Sequence, residues 1–458
     1  MSPLTLHPDR FFPAEPGLRD IARRLFASVE GLPILSPHGH TDPRWFALNA
    51  PFEDATSLLL WPDHYLLRLL HSQGVTPEAL GYNDPKADRR AVWKLFAANY
   101  HLFRGTPSRL WLDHVFATVF GIDVRLEAAT ADHYYDTIAA ALATPAFRPR
   151  TLFERFNIEK IATTEGALDT LEYHATAQRE WPGRVLTNYR PDDVVDPDRA
   201  DFIANVERFG ATNWQAYLKA HEARRAGFRA HGATATDHGP ATVQTADLSA
   251  ADCQALFDRL LRGKREPDDA ELFRAQMLTE FARMSCDDGM VMQIHPGVFR
   301  NHNAELFARY GWNVGGDLPV ATDYVRKLKP LLDRFGNHPA LTIILFTLDE
   351  TNYARELAPL AGHYPSIKLG PAWWFHDSPE GMLRFRRQVT ETAGFYNTVG
   401  FNDDTRAFLS IPARHDLARR IDAAYLAELV ATHRLGEDEA HEIIRDLSYN
   451  LAKAAYRL

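Results

Sequence analysis

The chain has 458 residues, with 51 Lys and Arg against 60 Asp and Glu, a formal net charge of −9, 45% hydrophobic and 24% charged residues. That balance is ordinary for a globular protein with a sizeable core. An acidic chain without a Lys/Arg run interleaved with aromatics argues against a nucleic-acid partner. Two cysteines, Cys253 and Cys286, are too few for a disulfide framework, and no apolar run reaches signal-peptide or membrane-span length. The expectation is a cytoplasmic protein with no membrane partner.

Leu18, Ile21, Ala22, Leu25, Phe26 and Val29 recur at helical spacing, with Gly31 as a stop. An apolar run over 32–36 then leads into His38-Gly39-His40. In a strand, side chains alternate faces, so both imidazoles point the same way and suit one shared metal ion. Among 20 histidines a chance His-x-His is unsurprising. What raises the signal is its position after a first strand, where parallel α/β barrels place ligands.

The stretch 43–157 reads as helical, rich in aromatics such as Trp45, Trp61, Trp93 and Trp111, with no strand. Strand-like runs follow at 158–164, 184–189 and 227–236, with a helix over 167–179. Helices over 250–261 and 268–284 precede further strand runs at 290–294, 341–346, 366–369 and 398–401. Tandem helices over 412–434 and 437–456 close the chain, separated by Gly436. With 33–36, the apolar runs number eight. Eight such runs separated by helices predict a (β/α)8 barrel of TIM type, because each parallel crossover must return along the outside. The expected organisation is a first helix and strand over 1–42, a helical insertion over 43–157, and the remaining barrel with C-terminal helices over 158–458.

In such a barrel the chemistry lies at the carboxyl ends of the strands. Those ends carry His38 and His40, Thr163-Thr164-Glu165, Asn188-Tyr189-Arg190, Asp237-His238, His295 with Arg300, Asp349-Glu350, Trp373-Trp374 with His376, and Asp403-Asp404-Thr405-Arg406. A single Asp after a strand is more often a helix N-cap, and Asp349 and Glu350 are read that way. Trp373-Trp374 is more often packing than function. Histidines after strands one and five and an Asp after strand eight together make a mononuclear site suited to Zn²⁺ or a similar divalent ion. The end of strand six, 346–349, offers no histidine, which counts against simple metal-water hydrolysis.

The segments Ser36-Pro37-His38-Gly39-His40, Asp63-His64-Tyr65 with Arg68, Thr163-Thr164-Glu165-Gly166, Arg190-Pro191-Asp192, Gln293-Ile294-His295 and Gly370-Pro371-Ala372-Trp373-Trp374-Phe375 run almost end to end. With Asp403-Asp404-Thr405-Arg406-Ala407-Phe408 they resemble the uronate isomerase family of the amidohydrolase superfamily. The family more often reads Phe-His-Cys-His after strand one and Thr-Asp-Ser-Arg after strand eight; neither departure removes a ligand type. The stretch 239–285 looks longer than in typical members.

The resemblance implies interconversion of D-glucuronate with D-fructuronate and of D-galacturonate with D-tagaturonate through a cis-enediol. It further implies a divalent metal, zinc by preference, on His38, His40 and Asp404, with Asp404 also the base. His64 and Tyr65 would exchange protons with sugar oxygens, Arg406 would stabilise the enediolate and Arg190 would clamp the uronate carboxylate. Arg300, Trp373, Trp374 and His238 would complete the substrate contacts. His295 either joins the ligands or hydrogen-bonds a substrate hydroxyl. Self-association into a homo-oligomer is expected for barrels of this size. Two other readings compete: a metal-dependent hydrolase on the same His38, His40 and Asp404, and a sugar-binding protein that lost the chemistry.

Overall fold

A computed structural model describes residues 2–458. The strands are β1 (Ile34–Ser36), β2 (Ile158–Gly166), β3 (Val185–Arg190), β4 (Ala235–His238), β5 (Val291–Ile294), β6 (Val298–Phe299), β7 (Leu318–Pro319), β8 (Ile343–Leu345) and β9 (Ile367–Leu369). All but β6 and β7 are short apolar runs that are largely buried, as parallel strands covered by helices are. Seven form one curled parallel sheet in the order β1-β2-β3-β4-β5-β8-β9. Its register runs, for example, Ile161 opposite Val185 and Leu345 opposite Leu369. β6 and β7 pair antiparallel as a small separate ribbon.

Two features carry the chain from β9 back toward β1. Leu369 and Thr398 form a parallel bridge, and the His40 amide donates to the Thr405 carbonyl at 3.0 Å. The strand expected over 398–401 is therefore reduced to one bridge. Gly400 has φ of +73°, outside the extended region, so the backbone turns away from a ladder there; a side chain would also lie 2.5 Å from the Leu447 carbonyl oxygen, which explains the glycine.

The strand expected over 227–236 also needs correction. Residues 227–230 end the helix Trp214–Ala230, whose Trp214, Tyr217, Leu218, His221, Arg225 and Phe228 are buried at helical spacing. Gly232 at φ +88° reverses the chain, and β4 starts only at Ala235. The last helix is interrupted by a π-type turn over Asp446–Asn450, between Glu437–Arg445 and Leu451–Ala455.

Residues 43–157 contain helices and no strand among the described residues, and they bury an aromatic cluster that includes Trp93, Phe96, Tyr100, Phe116 and Tyr134. A second core lies between the sheet and its helices, built from residues such as Phe228, Phe281, Ile343 and Phe385. The N-terminal helix Pro16–Ala27 packs Leu25 and Phe26 against the apolar residues of Ile411–Ala431 and Glu437–Arg445. Inside the sheet, Val291, Ile344, Phe346, Trp373 and Val399 meet Tyr456 from the chain's end. No helix is long and apolar enough to cross a membrane among the described residues.

Candidate active site

Beyond the carboxyl ends of the strands lies a cavity of about 980 Å³. His38, His40, His64, Tyr65, Arg190, His238, His295, Arg300, Trp373, Trp374, Asp404 and Arg406 all line it. They arrive from different elements, so tertiary folding is what makes them neighbours.

The end of β1 sends in His38 and His40, with ring centroids 5.3 Å apart and planes nearly perpendicular. Asn188 Nδ2 donates to the Pro37 carbonyl (3.2 Å) and Thr164 Oγ1 to the Gly39 carbonyl (2.9 Å), so β2 and β3 hold this segment. The opposing segment after Thr398 is pinned through Asp403, not Asp404. Ser36 Oγ donates to Asp403 Oδ1 (3.1 Å), and His415 Nε2 lies 3.1 Å from Asp403 Oδ2. Asp404 itself adopts φ of +37°, a left-handed conformation that an L-residue keeps only when its surroundings enforce it.

Asp404 Oδ1 lies 3.4 Å from His38 Nε2 and 3.3 Å from His40 Nε2, while Oδ2 accepts from Trp373 Nε1 at 2.6 Å. Burial alone would raise this carboxyl's pKa, but the two imidazoles outweigh it and hold it well below the usual range. His295 stacks on His38 with centroids 4.8 Å apart, and its Nδ1 lies 2.7 Å from Asp237 Oδ1. Burial opposes the charge on Asp237, yet Arg190 and His295 keep its pKa well below the ordinary value. An ionised carboxylate only accepts, so His295 carries its proton on Nδ1 and leaves Nε2 as a lone pair.

His38, His295 and Asp404 bring ligand atoms within 4.8 Å of one another. His295 Nε2 and Asp404 Oδ1 are buried without a hydrogen-bond partner. Two imidazoles and a carboxylate with such free lone pairs fit a divalent ion.

His64 and Tyr65 begin the helix His64–Ser72, where Asp63 accepts from the amides of Tyr65 and Leu66 and so caps the first turn. Burial and the nearby Arg406 pull the His64 imidazole down to about 3, and burial keeps the Tyr65 phenol well above its ordinary value. Both are neutral at pH 7, available as hydrogen-bond donors.

The arginines differ in what they already hold. Arg190 gives Nε to Asp192 (2.8 Å) and Nη1 to Asp237 (2.9 Å). A side chain on Gly239 would reach 2.3 Å from Arg190 Nη2, which explains the glycine beside it. Arg300 pairs with Asp317 at 2.9 Å. Arg406 donates to the neutral amide oxygen of Asn313 at 3.1 Å, and it is the cavity's arginine without a paired carboxylate among the described residues. His238 lines the cavity, but its Nε2 lies 2.9 Å from Thr236 Oγ1 and its ring rests on Phe281.

The sequence puts Asp237 at a strand end without a role, although a strand-end carboxylate beside a ligand-type histidine is the usual orienting partner. It also gave no sign of Asn313 and Asp317, which come from the loop between β6 and β7. At the end of β8 the Phe346 ring stacks on His295 at 4.0 Å.

The family model for glucuronate isomerase matches residues 16–456. A uronate isomerase from Phenylobacterium zucineum is 65% identical over 100% of this chain and 97% of its own length. The crystal structure of glucuronate isomerase from Caulobacter crescentus superposes with a TM-score of 0.98 at 60% identity, covering 99% of this chain and 97% of that one. That of a uronate isomerase from Thermotoga maritima gives 0.92 at 26% identity, covering 99% of each.

Proposed function

The chain belongs to the glucuronate isomerase family and is an aldose–ketose isomerase, and from that premise we propose that its cavity interconverts D-glucuronate with D-fructuronate and D-galacturonate with D-tagaturonate. The observation that carries this reading is the convergence of one ionised carboxylate, Asp404, two neutral proton donors, His64 and Tyr65, and Arg406 in a single cavity.

In the open-chain aldose, Asp404 takes the proton from C2. The C–H electron pair forms the C1=C2 bond as O1 gains a proton from His64 or Tyr65. The cis-enediol then gives up its O2 proton to the same group, and the carboxylic acid of Asp404 returns its proton to C1. No oxidant or reductant is consumed, and a single carboxylate serves both carbons because they share one face. Negative charge on the enediolate oxygens is met by Arg406, whose guanidinium is not already neutralised. Arg190 keeps Nη2 for the uronate carboxylate, its Nε and Nη1 being held by Asp192 and Asp237, with Arg300 as a second cation.

His38, His295 and Asp404, with His40 beside them, would hold a divalent ion of zinc type. Such an ion supplies Lewis-acid polarisation of the substrate oxygens next to it. We read the curled sheet as a (β/α)8 barrel of amidohydrolase type, closed by the Leu369–Thr398 bridge and the His40–Thr405 contact. The end of β8, Phe346-Thr347-Leu348-Asp349, offers no histidine, which counts against the hydrolase alternative.

Proton NMR of the enzyme with each aldouronate in D₂O, with and without a chelator, tests the reading. Ketouronate is expected, with solvent deuterium at C1 to the extent that the Asp404 carboxylic acid exchanges with solvent before it returns a proton. No conversion of either sugar would overturn it, and the chelator arm reports whether metal is required.

A further inference from the structure

We propose that Trp373 is a positioning residue for the isomerisation, its indole N–H fixing the rotation of the Asp404 carboxylate. This rests on Asp404 being the base. The main chain around Asp404 is held on both sides, by Ser36 and His415 on Asp403 and by the His40 amide on the Thr405 carbonyl. What these contacts leave free is rotation of the carboxylate itself. Trp373 Nε1 removes that freedom by donating to Oδ2 at 2.6 Å, while Oδ1 stays toward His38 and His40 at 3.4 and 3.3 Å.

The indole is itself clamped. It is 5% exposed, its ring lies 4.8 Å from His295 and 6.1 Å from Phe346, and the next residue, Trp374, takes φ of +50°. Two left-handed non-glycine residues, Asp404 and Trp374, thus flank one short hydrogen bond, and such conformations persist where tertiary contacts over-determine them. An aromatic needed only as a wall for the sugar could be Phe. The N–H is what tryptophan adds, and it is aimed at the base.

Without that donor, Oδ2 would be a buried acceptor with no partner, free to turn toward the imidazoles and draw its lone pair away from C2. The loss falls on the step that breaks the C–H bond, not on substrate binding.

The test compares Trp373→Phe with an enzyme carrying benzothienylalanine at position 373, which keeps the fused rings and places sulfur where the N–H was. Both are assayed for kcat, KM and the primary isotope effect with C2-deuterated D-glucuronate, alongside Asp404→Asn. Expected are a kcat lower by about ten- to a hundredfold, KM within about threefold of the parent, and a larger isotope effect on kcat. If Trp373→Phe does not fold, the benzothienyl enzyme decides, because it preserves the packing. An unchanged kcat and isotope effect in that enzyme, with Asp404→Asn inactive, overturns the positioning role and leaves the base in place. A raised KM at unchanged kcat returns Trp373 to a substrate wall and likewise overturns it. Near-parental turnover by Asp404→Asn would remove the base assignment, and the positioning role with it.

Discussion

Glu165, one residue beyond the inward-facing Thr164 on β2, sits in a buried polar cluster that the cavity does not use. Its carboxyl accepts from Thr187 Oγ1 and lies 3.5 Å from His174 Nε2, whose ring is 2.8 Å from Thr163 Oγ1. Burial pushes Glu165 up to about 8 and pulls His174 down to about 4, so both are neutral at pH 7. A carboxyl raised on folding takes up a proton from its unfolded value of 4.5 upward to about 8. Its contribution is therefore complete below the unfolded pKa and is lost as pH rises through the folded one, at up to about 1.4 kcal/mol per pH unit. Glu165→Gln, which mimics the neutral acid, is expected to match the parent near about pH 5 and to be more stable above about pH 8. Urea titrations across that window check this, and parallel stability curves would mean the carboxyl is ionised in the fold.

The ribbon of β6 and β7 is the element that the hydrophobic pattern did not announce, yet it closes one wall of the cavity. Its loop is tied together by the Arg300–Asp317 pair and by the His302 amide on the Gly316 carbonyl (2.8 Å), and Asn313 reaches Arg406. Gly315, at φ +82°, packs so closely on the helix His64–Ser72 that a Cβ would lie 2.4 Å from Arg68 Cβ and 2.8 Å from the His64 carbonyl oxygen. Gly315→Ala is strained and crowded at once, and relief moves either the loop or the turn that carries His64 and Tyr65. Steady-state kinetics should show kcat/KM reduced by about ten- to a hundredfold, as expected for ångström-scale misplacement of donors. Gly311→Ala is the control: its φ of +74° with ψ of −148° strains a side chain as well, but the space around its Cβ is open, so it should cost about 1–3 kcal/mol of stability and leave kinetics intact. Equal kinetic losses in both would refute packing on the helix as the cause.

Across the whole molecule, the chain's end is built into the interior of its own sheet. Tyr456 is fully buried; its hydroxyl donates to Gln293 Oε1 (3.0 Å) and accepts from Asn402 Nδ2 (2.9 Å). Gln293 precedes His295 by two residues on one side, and Asn402 precedes Asp404 by two on the other. Tyr456 thus ties together the end of β5 and the segment after Thr398, which supply the imidazole and the carboxylate. Tyr456→Phe keeps the ring and leaves two buried polar groups short of a partner. It should lower stability by about 1–3 kcal/mol, seen as a reduced melting temperature. An unchanged melting temperature would show that these groups find other partners.

Local pattern determined much of this protein. Buried apolar runs name seven of the strands, helical spacing names the helices Pro16–Ala27, Ala250–Leu261 and Asp269–Asp288, and strand alternation puts His38 and His40 on one face. The histidines, arginines and Asp404 expected in the cavity were legible because each follows a strand or a recognisable family segment, whereas Asn313 and Asp317, on the loop between β6 and β7, were not. What each of them does with its polar atoms was not. The strand expected over 398–401 breaks at Gly400 because its φ of +73° leaves the extended region, and the boundary at Ala235 was lost because the preceding helix continues the same apolar texture. Arg190 reads as an open clamp until Asp192 and Asp237 are seen on two of its nitrogens, and Trp373 reads as a wall until its N–H is found on Asp404. Periodicity records which face a side chain presents to the core. A hydrogen-bond partner such as Ser36 for Asp403, 367 residues away, is chosen only when the sheet curls and brings the strand ends together.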